Sequence, residues 1–131
     1  MRLLLDTHIW LWSLGLVSRV HTRVRDQLAT SRDQLWLSPI SIWELIILQK
    51  KGRFETQGDM DAWLAKAFAA LPIREASLTN EVAAEVAKVR LPHRDPADRF
   101  LAATARVYDL TLVTADERLM GYRGCKILAS R

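Results

Sequence analysis

The sequence predicts an α/β protein, a three-layer α/β/α sandwich around a mainly parallel sheet of four to five strands. Residues 3–5 are three leucines followed at once by Asp6, and such a continuous apolar run is typical of a strand buried on both faces. Residues 110–114 form a second strand pattern that ends two residues before Asp116. Between them, short strand patterns alternate with helical segments of about 10–15 residues, which is the pattern of a parallel sheet.

The elements after the first strand follow from local signals. Residues 7–14 predict a helix that ends at Gly15, a residue suited to a helix C-terminus. Ser18 is a predicted N-cap for a helix that runs to about Thr30, because apolar residues recur there at every fourth position. Residues 35–37 predict a short strand.

The central helix is marked by a strong start signal. Ser38 precedes a proline at the first helical position, and the helix from Pro39 to about Lys51 ends at Gly52. Glu44 lies in its second turn within an otherwise apolar segment. Such an acid lies either at the edge of the core or over a pocket.

The second half continues the alternation. Asp59 or Asp61 starts a helix that Pro72 stops, and residues 72–75 give a weak strand. A helix capped by Thr79 runs to about residue 89. The remaining predicted elements are an alanine-rich helix opened by residues 95–98, the strand 110–114, and a final short strand at 126–128.

Composition narrows the class of protein without naming an activity. The 131 residues predict one domain, spanning 1–131, with an ordinary globular share of apolar and charged side chains. No run of 18 apolar residues predicts a membrane span, and Arg2 and Asp6 lie too close together for a signal peptide. The single Cys125 cannot form an internal disulfide, which fits the cytoplasm. The net charge of +4 is compatible with a polyanionic partner.

Four acids have placements that bring them to one rim of the predicted sheet: Asp6, Glu44, Asp98 and Asp116. Taken alone, Asp6 is explained most simply as a helix cap. Parallel neighbouring strands, however, would place Asp6 and Asp116 at the same carboxyl edge, and a helix of a βαβ unit would begin there with Asp98.

Carboxylates held together repel one another unless a cation neutralises them. An all-oxygen cluster suits Mg²⁺ or Mn²⁺, whereas the lone cysteine and the three histidines show no zinc-ligand spacing. Such a site supports metal-assisted attack on a phosphodiester. A phosphatase that uses Asp6 as its nucleophile is a rival, but enzymes of that kind need a second acid two residues later, where this chain has His8.

The arrangement resembles that of PIN domains, and in particular the VapC-type ribonuclease toxins of toxin–antitoxin pairs. The resemblance rests on four separated motifs in order, namely residues 3–8 (LLLDTH), 41–45 (SIWEL), 93–105 (HRDPADRFLAATA) and 112–117 (LVTADE). It implies a PIN-like fold and a metal-dependent endoribonuclease in which Asp6, Glu44, Asp98 and Asp116 bind Mg²⁺ or Mn²⁺. A PIN-like module that binds RNA or protein without cutting is the alternative.

Three further residues have supporting roles. By resemblance, Thr114 matches a hydroxyl position that supports the site. Asp95 either caps the alanine-rich helix or reaches the metal through water, and capping preference favours the first. Arg99 either holds the acids in place or contacts RNA phosphate, and the sequence leaves both open.

The resemblance also implies partners. These are an RNA substrate, a second copy of the chain, and an antitoxin that lays a helix over apolar grooves and blocks the site. The helix 7–14 agrees locally, because its apolar residues cannot all face one core. Packing of Trp10 and Trp12 in the core is the alternative explanation.

Overall fold

In a computed structural model that describes residues 1–131, five strands form one sheet in the order β3-β2-β1-β4-β5. All four strand pairs are parallel, which confirms the predicted sheet. The central strand β1 pairs with β2 on one side and with β4 on the other. The strands are β1 (Leu3–Leu5), β2 (Leu35–Leu37), β3 (Arg74–Glu75), β4 (Thr111–Thr114) and β5 (Ile127–Ala129).

Seven α-helices connect and cover these strands, and three short 3₁₀ turns lie between them. None of the seven combines the length and the apolar surface needed to cross a lipid bilayer. The helices are α1 (Thr7–Gly15), α2 (Thr22–Thr30), α3 (Pro39–Lys50), α4 (Met60–Ala70), α5 (Asn80–Glu85), α6 (Pro96–Tyr108) and α7 (Glu117–Met120).

The core lies on both faces of the sheet because successive side chains of β1 point to opposite sides. Leu3 and Leu5 pack into one apolar cluster with residues of α1, α2 and α4. Leu4 packs on the other face with α6 and α7, and α5 packs in turn against α6. All three leucines are fully buried, so the predicted three-layer α/β/α architecture is confirmed.

Side-chain caps set most helix starts where the sequence predicts them. Ser38 accepts a hydrogen bond from the Ile40 backbone N–H at the start of α3. Of the two candidates for α4, Asp59 is the cap, accepting from a backbone N–H at 2.7 Å. Thr79 caps α5, which ends at Glu85 and continues as a 3₁₀ turn.

One predicted helix start was wrong, and one helix was not predicted. The second helix does not begin after Ser18: residues Val17–Arg19 form a 3₁₀ turn, and α2 begins at Thr22. The reason is a long-range contact, because the His21 backbone N–H donates to the Ser130 hydroxyl at 2.9 Å and the chain turns there. The short helix α7, which follows Asp116, was not predicted.

Candidate active site

The carboxyl edge of the sheet gathers the four acids that the sequence placed there. Asp6 follows β1 and Asp116 follows β4, and these two strands are parallel neighbours. Asp98 lies in the first turn of α6, and Glu44 lies in the second turn of α3. All four line one open cavity of about 320 Å³.

Asp6 is a helix cap that also lines the cavity, so its capping role does not exclude a role in the site. Its Oδ1 accepts a hydrogen bond from the Ile9 backbone N–H at 2.9 Å and caps α1. Its Oδ2 accepts a hydrogen bond from the Thr114 hydroxyl. Burial raises the pKa of Asp6 above its ordinary value, although both hydrogen bonds act in the opposite direction.

Glu44 is held over the cavity by the first turn of α1. The Thr7 hydroxyl donates to Glu44 Oε1 at 2.6 Å and lies 3.0 Å from the Ser41 hydroxyl. Burial raises the pKa of Glu44, and the negative charges of Asp95 and Asp6 act in the same direction. This pair of contacts connects α1 to α3 at the rim and fixes one wall of the cavity.

The pKa of Asp98 is strongly raised in the cavity. Burial, followed by the charges of Asp95 and Asp116, raises its pKa to about 7, while Arg118 acts to lower it. Its Oδ2 is buried and has no hydrogen-bond partner. His93 Nε2 lies 3.3 Å from this oxygen, close enough for an ionic contact but not aligned for a hydrogen bond.

The His93 ring is oriented by its other nitrogen. Its Nδ1 accepts a hydrogen bond from the Asp95 backbone N–H at 3.1 Å. The proton of a neutral His93 is therefore carried by Nε2, the nitrogen that faces Asp98.

Asp116 is paired with a cation from the same chain. Arg118 Nη2 lies 2.9 Å from Asp116 Oδ2, and Arg118 Nε lies 3.2 Å from Oδ1. This two-point contact holds the pKa of Asp116 below its ordinary value. The Asp116 backbone N–H in turn donates to the Thr114 hydroxyl at 3.0 Å. Thr114 therefore bridges Asp6 and Asp116.

The other two supporting residues differ in position: Asp95 lines the cavity, and Arg99 contacts the loop before α6. Asp95 is the N-cap of α6, accepting from the Ala97 backbone N–H at 3.0 Å, and it also lines the cavity. Arg99 bonds to two loop carbonyls, those of Val89 at 3.3 Å and His93 at 3.2 Å. It therefore anchors the loop before α6, and no contact joins its guanidinium to the four acids.

Sequence reasoning missed three residues that contact the acids. Arg118 was overlooked because its helix was not predicted, although its position two residues after Asp116 was a usable signal. His93 and Thr7 stand inside the recognised motifs, but neither has a spacing that identifies its partner. His8, which was set aside, also lines the cavity.

The residues fit a hard divalent ion in chemistry, although not as an assembled ligand set. No three acidic, histidine or cysteine side chains converge closely enough to hold a metal ion as they stand. Asp98 Oδ2 is nevertheless a buried oxygen with no hydrogen-bond partner, and the other acids of the cavity supply further carboxylate oxygens. Oxygen donors are what Mg²⁺ and Mn²⁺ prefer. Asp116 is at the same time engaged by Arg118, which contacts both of its carboxylate oxygens.

A second, more apolar groove of about 560 Å³ adjoins the acidic cavity. The two share His8 and Trp12 in their walls, so the groove opens onto the acids. Trp12 is half-buried here, whereas Trp10 is fully buried in the core against Trp63 and Phe68. The large apolar side chains of α1 are thus divided between the core, which contains Trp10, and the surface groove, which contains Trp12.

Comparison with known proteins agrees with this fold. The PIN domain family profile matches residues 3–123, and the chain belongs to that family. Among individual relatives, it is 33% identical over 123 residues to ribonuclease VapC22 of Mycobacterium tuberculosis, an alignment that covers 92% of this chain and 91% of that protein.

Solved structures share the fold at low sequence identity. DNA-bound VapBC from Salmonella typhimurium superposes with a TM-score of 0.72 at 16% identity, covering 100% of this chain and 99% of that one. VapBC2 from Rickettsia felis, bound to a promoter DNA fragment, gives 0.71 at 14% identity with 98% of each chain covered. At these identities the likeness concerns the architecture alone.

Proposed function

We propose that this protein is a metal-dependent endoribonuclease and the toxin of a toxin–antitoxin pair, formed by residues 1–131 as one domain. The observation that carries the proposal is the convergence of Asp6, Glu44, Asp98 and Asp116 on one cavity at the carboxyl edge of a PIN-domain sheet. The relationship to ribonuclease VapC22 supports the activity, and the VapBC neighbours support the pairing with an antitoxin.

In the proposed mechanism, Asp6, Glu44, Asp98 and Asp116 would hold Mg²⁺ or Mn²⁺. When bound, such an ion supplies activation of water and stabilisation of the negative charge that develops on a phosphodiester. The chain itself contributes orientation: Thr114 fixes Asp6, and Thr7 fixes Glu44.

His93 faces the acids at the start of α6. Its Nε2 lies 3.3 Å from Asp98 Oδ2, and in the neutral ring this nitrogen carries the proton. His93 would therefore help to orient Asp98 while that carboxylate serves as a metal ligand.

We propose single-stranded or looped RNA as the substrate, because its backbone can bend into a pocket that a rigid duplex cannot enter. The whole chain is basic despite its acidic cavity, with 19 lysine and arginine residues against 15 acidic ones and a net charge of +4. This surplus attracts a polyanion over distances of about a Debye length. We propose a cytoplasmic location as well, because such an RNA substrate is found there.

An antitoxin helix fits the apolar groove beside the cavity. A helix seated between Trp12 and the exposed Leu16 would cover the shared wall and close the approach to the acids.

We also propose a homodimer, since Trp43 leaves 47% of its surface exposed on α3, one residue before Glu44. Sedimentation of the purified chain measures that assembly, and a monomer at all concentrations would contradict it.

The test of activity is incubation of purified protein with RNA, with Mg²⁺ or Mn²⁺ and with EDTA. We expect Asp6→Asn and Asp116→Asn to reduce cleavage at least about 100-fold, as loss of groups that act in the transition state does. Asp59→Asn is the matched control, because it removes the same charge from a remote cap that Asn also satisfies. Equal cutting by wild type and both site variants would refute the assignment. Cleavage by none of them would favour a binding module.

The toxin role has a separate test. Expression of the chain alone should arrest bacterial growth, and expression of Asp116→Asn to the same level should not. A phosphorylated Asp6 trapped with a phosphate ester would instead favour the phosphatase alternative.

A further inference from the structure

Arg118 lies within the acidic cavity, and we propose that it is an internal counter-ion that competes with the divalent ion for Asp116 and Asp98. The guanidinium and the metal would then occupy these carboxylates alternately. The inference rests on the proposed function, because it concerns the ion that the cavity acids are proposed to bind. In this role Arg118 restrains the loading of the metal and does not take part in the chemistry.

The geometry places one guanidinium among three carboxylates. Arg118 contacts both oxygens of Asp116, with Nη2 to Oδ2 at 2.9 Å and Nε to Oδ1 at 3.2 Å. The same Nη2 lies 3.6 Å from Asp98 Oδ2 and 3.7 Å from Asp95 Oδ2. Arg118 is thus the arginine that faces the acids, whereas Arg99 is engaged by loop carbonyls.

This position is incompatible with a divalent ion bound by the same groups. Asp116 Oδ1 accepts from the Arg118 backbone N–H and from Nε, and Oδ2 accepts from Nη2 and Nε, so Arg118 engages both lone-pair sites of each oxygen. An ion bound to Asp98 Oδ2 would also lie a few ångströms from the guanidinium, and like charges at such spacing repel. The carboxylates of Asp95, Asp98 and Asp116 accordingly face Arg118. No three acids converge on a single position where a metal ion could bind.

Two features allow Arg118 to leave. Its side chain is 54% exposed, so it can move into solvent without uncovering the core. It projects from α7, a helix of only four residues, whose buried residue is Leu119 rather than Arg118. Asp98 Oδ2, buried and without a hydrogen bond, remains available as an oxygen ligand for a cation.

A purely structural role for Arg118 predicts the opposite sign. If the arginine served to hold Asp116 in place for the metal, its removal would weaken metal binding. If it competes with the metal, its removal strengthens binding. The direction of the change in metal affinity therefore separates the two roles.

The experiment measures Mn²⁺ binding to the metal-free full-length chain by calorimetry at constant ionic strength and pH. We expect Arg118→Gln and Arg118→Ala to bind Mn²⁺ about tenfold more tightly than wild type, a value reduced for a partly exposed pair. Arg118→Lys keeps the charge and should stay close to wild type. Arg123→Gln is the matched control: Arg123 is exposed and makes no ion pair with the acids, so its loss should change affinity by less than about twofold.

Affinity for Mn²⁺ in Arg118→Gln that equals that of Arg123→Gln, or falls below wild type, would overturn the competition while leaving the proposed metal site intact. Absence of Mn²⁺ binding in wild type and in every variant would overturn both. Comparison of the wild-type and Arg118→Gln titrations therefore distinguishes the two failures.

Discussion

Replacement of Asp98 by asparagine should stabilise the metal-free protein at neutral pH, although it removes a proposed ligand. A carboxyl group whose pKa is higher in the folded than in the unfolded chain binds more protons when folded. The resulting penalty is absent below the unfolded pKa, near 3.8, grows as pH rises, and is complete above the folded pKa, about 7. Asparagine has the shape of the protonated acid and avoids this penalty.

The magnitude follows from the same values. A pKa of about 7 in place of 3.8 corresponds to about 4 kcal/mol at about 1.4 kcal/mol for each tenfold change. Because part of the Asp98 shift comes from the charges of Asp95 and Asp116, which can relax in the variant, we expect about half of this to appear in a single substitution, about 2 kcal/mol at pH 8. The advantage of Asp98→Asn over wild type should shrink by about 1 kcal/mol between pH 8 and pH 5.

The assay is urea unfolding of both proteins in EDTA at pH 5 and pH 8, followed by circular dichroism. Saturating Mn²⁺ should then stabilise wild type and reverse the order of stability, because only a protein that binds the ion gains from it. Asp59→Asn, at an exposed cap, should show no such dependence on pH. An Asp98→Asn protein that is less stable than wild type at pH 8 would refute this prediction. So would a difference in the free energy of unfolding between variant and wild type that is the same at both pH values.

Three further substitutions test how the acids are held. Thr114→Val should cost about 1–3 kcal/mol in urea unfolding, since the buried Asp6 oxygen loses its donor, and Thr114→Ser should restore most of it. Thr7→Val should raise the pKa of Glu44 further, so that Mn²⁺ binding requires a higher pH. An unchanged pH profile in calorimetry would contradict the role of the hydroxyl. Arg99→Gln should lower the free energy of unfolding by about 1 kcal/mol and leave Mn²⁺ affinity within about twofold, since its guanidinium bonds loop carbonyls; a large loss of affinity would show that it acts on the acids.

The fold was largely predictable because local signals and tertiary packing agree. The leucine run 3–5 is buried on both faces, and each strand of the sheet pairs in parallel as the alternation of elements required. Where they disagree, the prediction failed. Ser18 has the chemistry of a cap, but the bond between His21 and Ser130 joins positions 109 residues apart, which no local pattern reveals.

The candidate site was predictable in its acids and unpredictable in their partners. Asp6 and Asp116 end neighbouring strands, so sheet topology alone brings them together. Arg118 and His93 contact the acids through side-chain directions that depend on a four-residue helix and on a loop. Sequence spacing therefore indicated which charges repel in the cavity but not which cation offsets them.

The most direct test of the account is anomalous diffraction from crystals of the full chain grown with Mn²⁺. We expect a manganese peak in the cavity, within about 2.3 Å of carboxylate oxygens from the proposed ligands Asp6, Glu44, Asp98 and Asp116, with the Arg118 guanidinium turned towards solvent. A protein that cleaves RNA with Mn²⁺ but binds the ion elsewhere, leaving these carboxylates paired with Arg118, would contradict it.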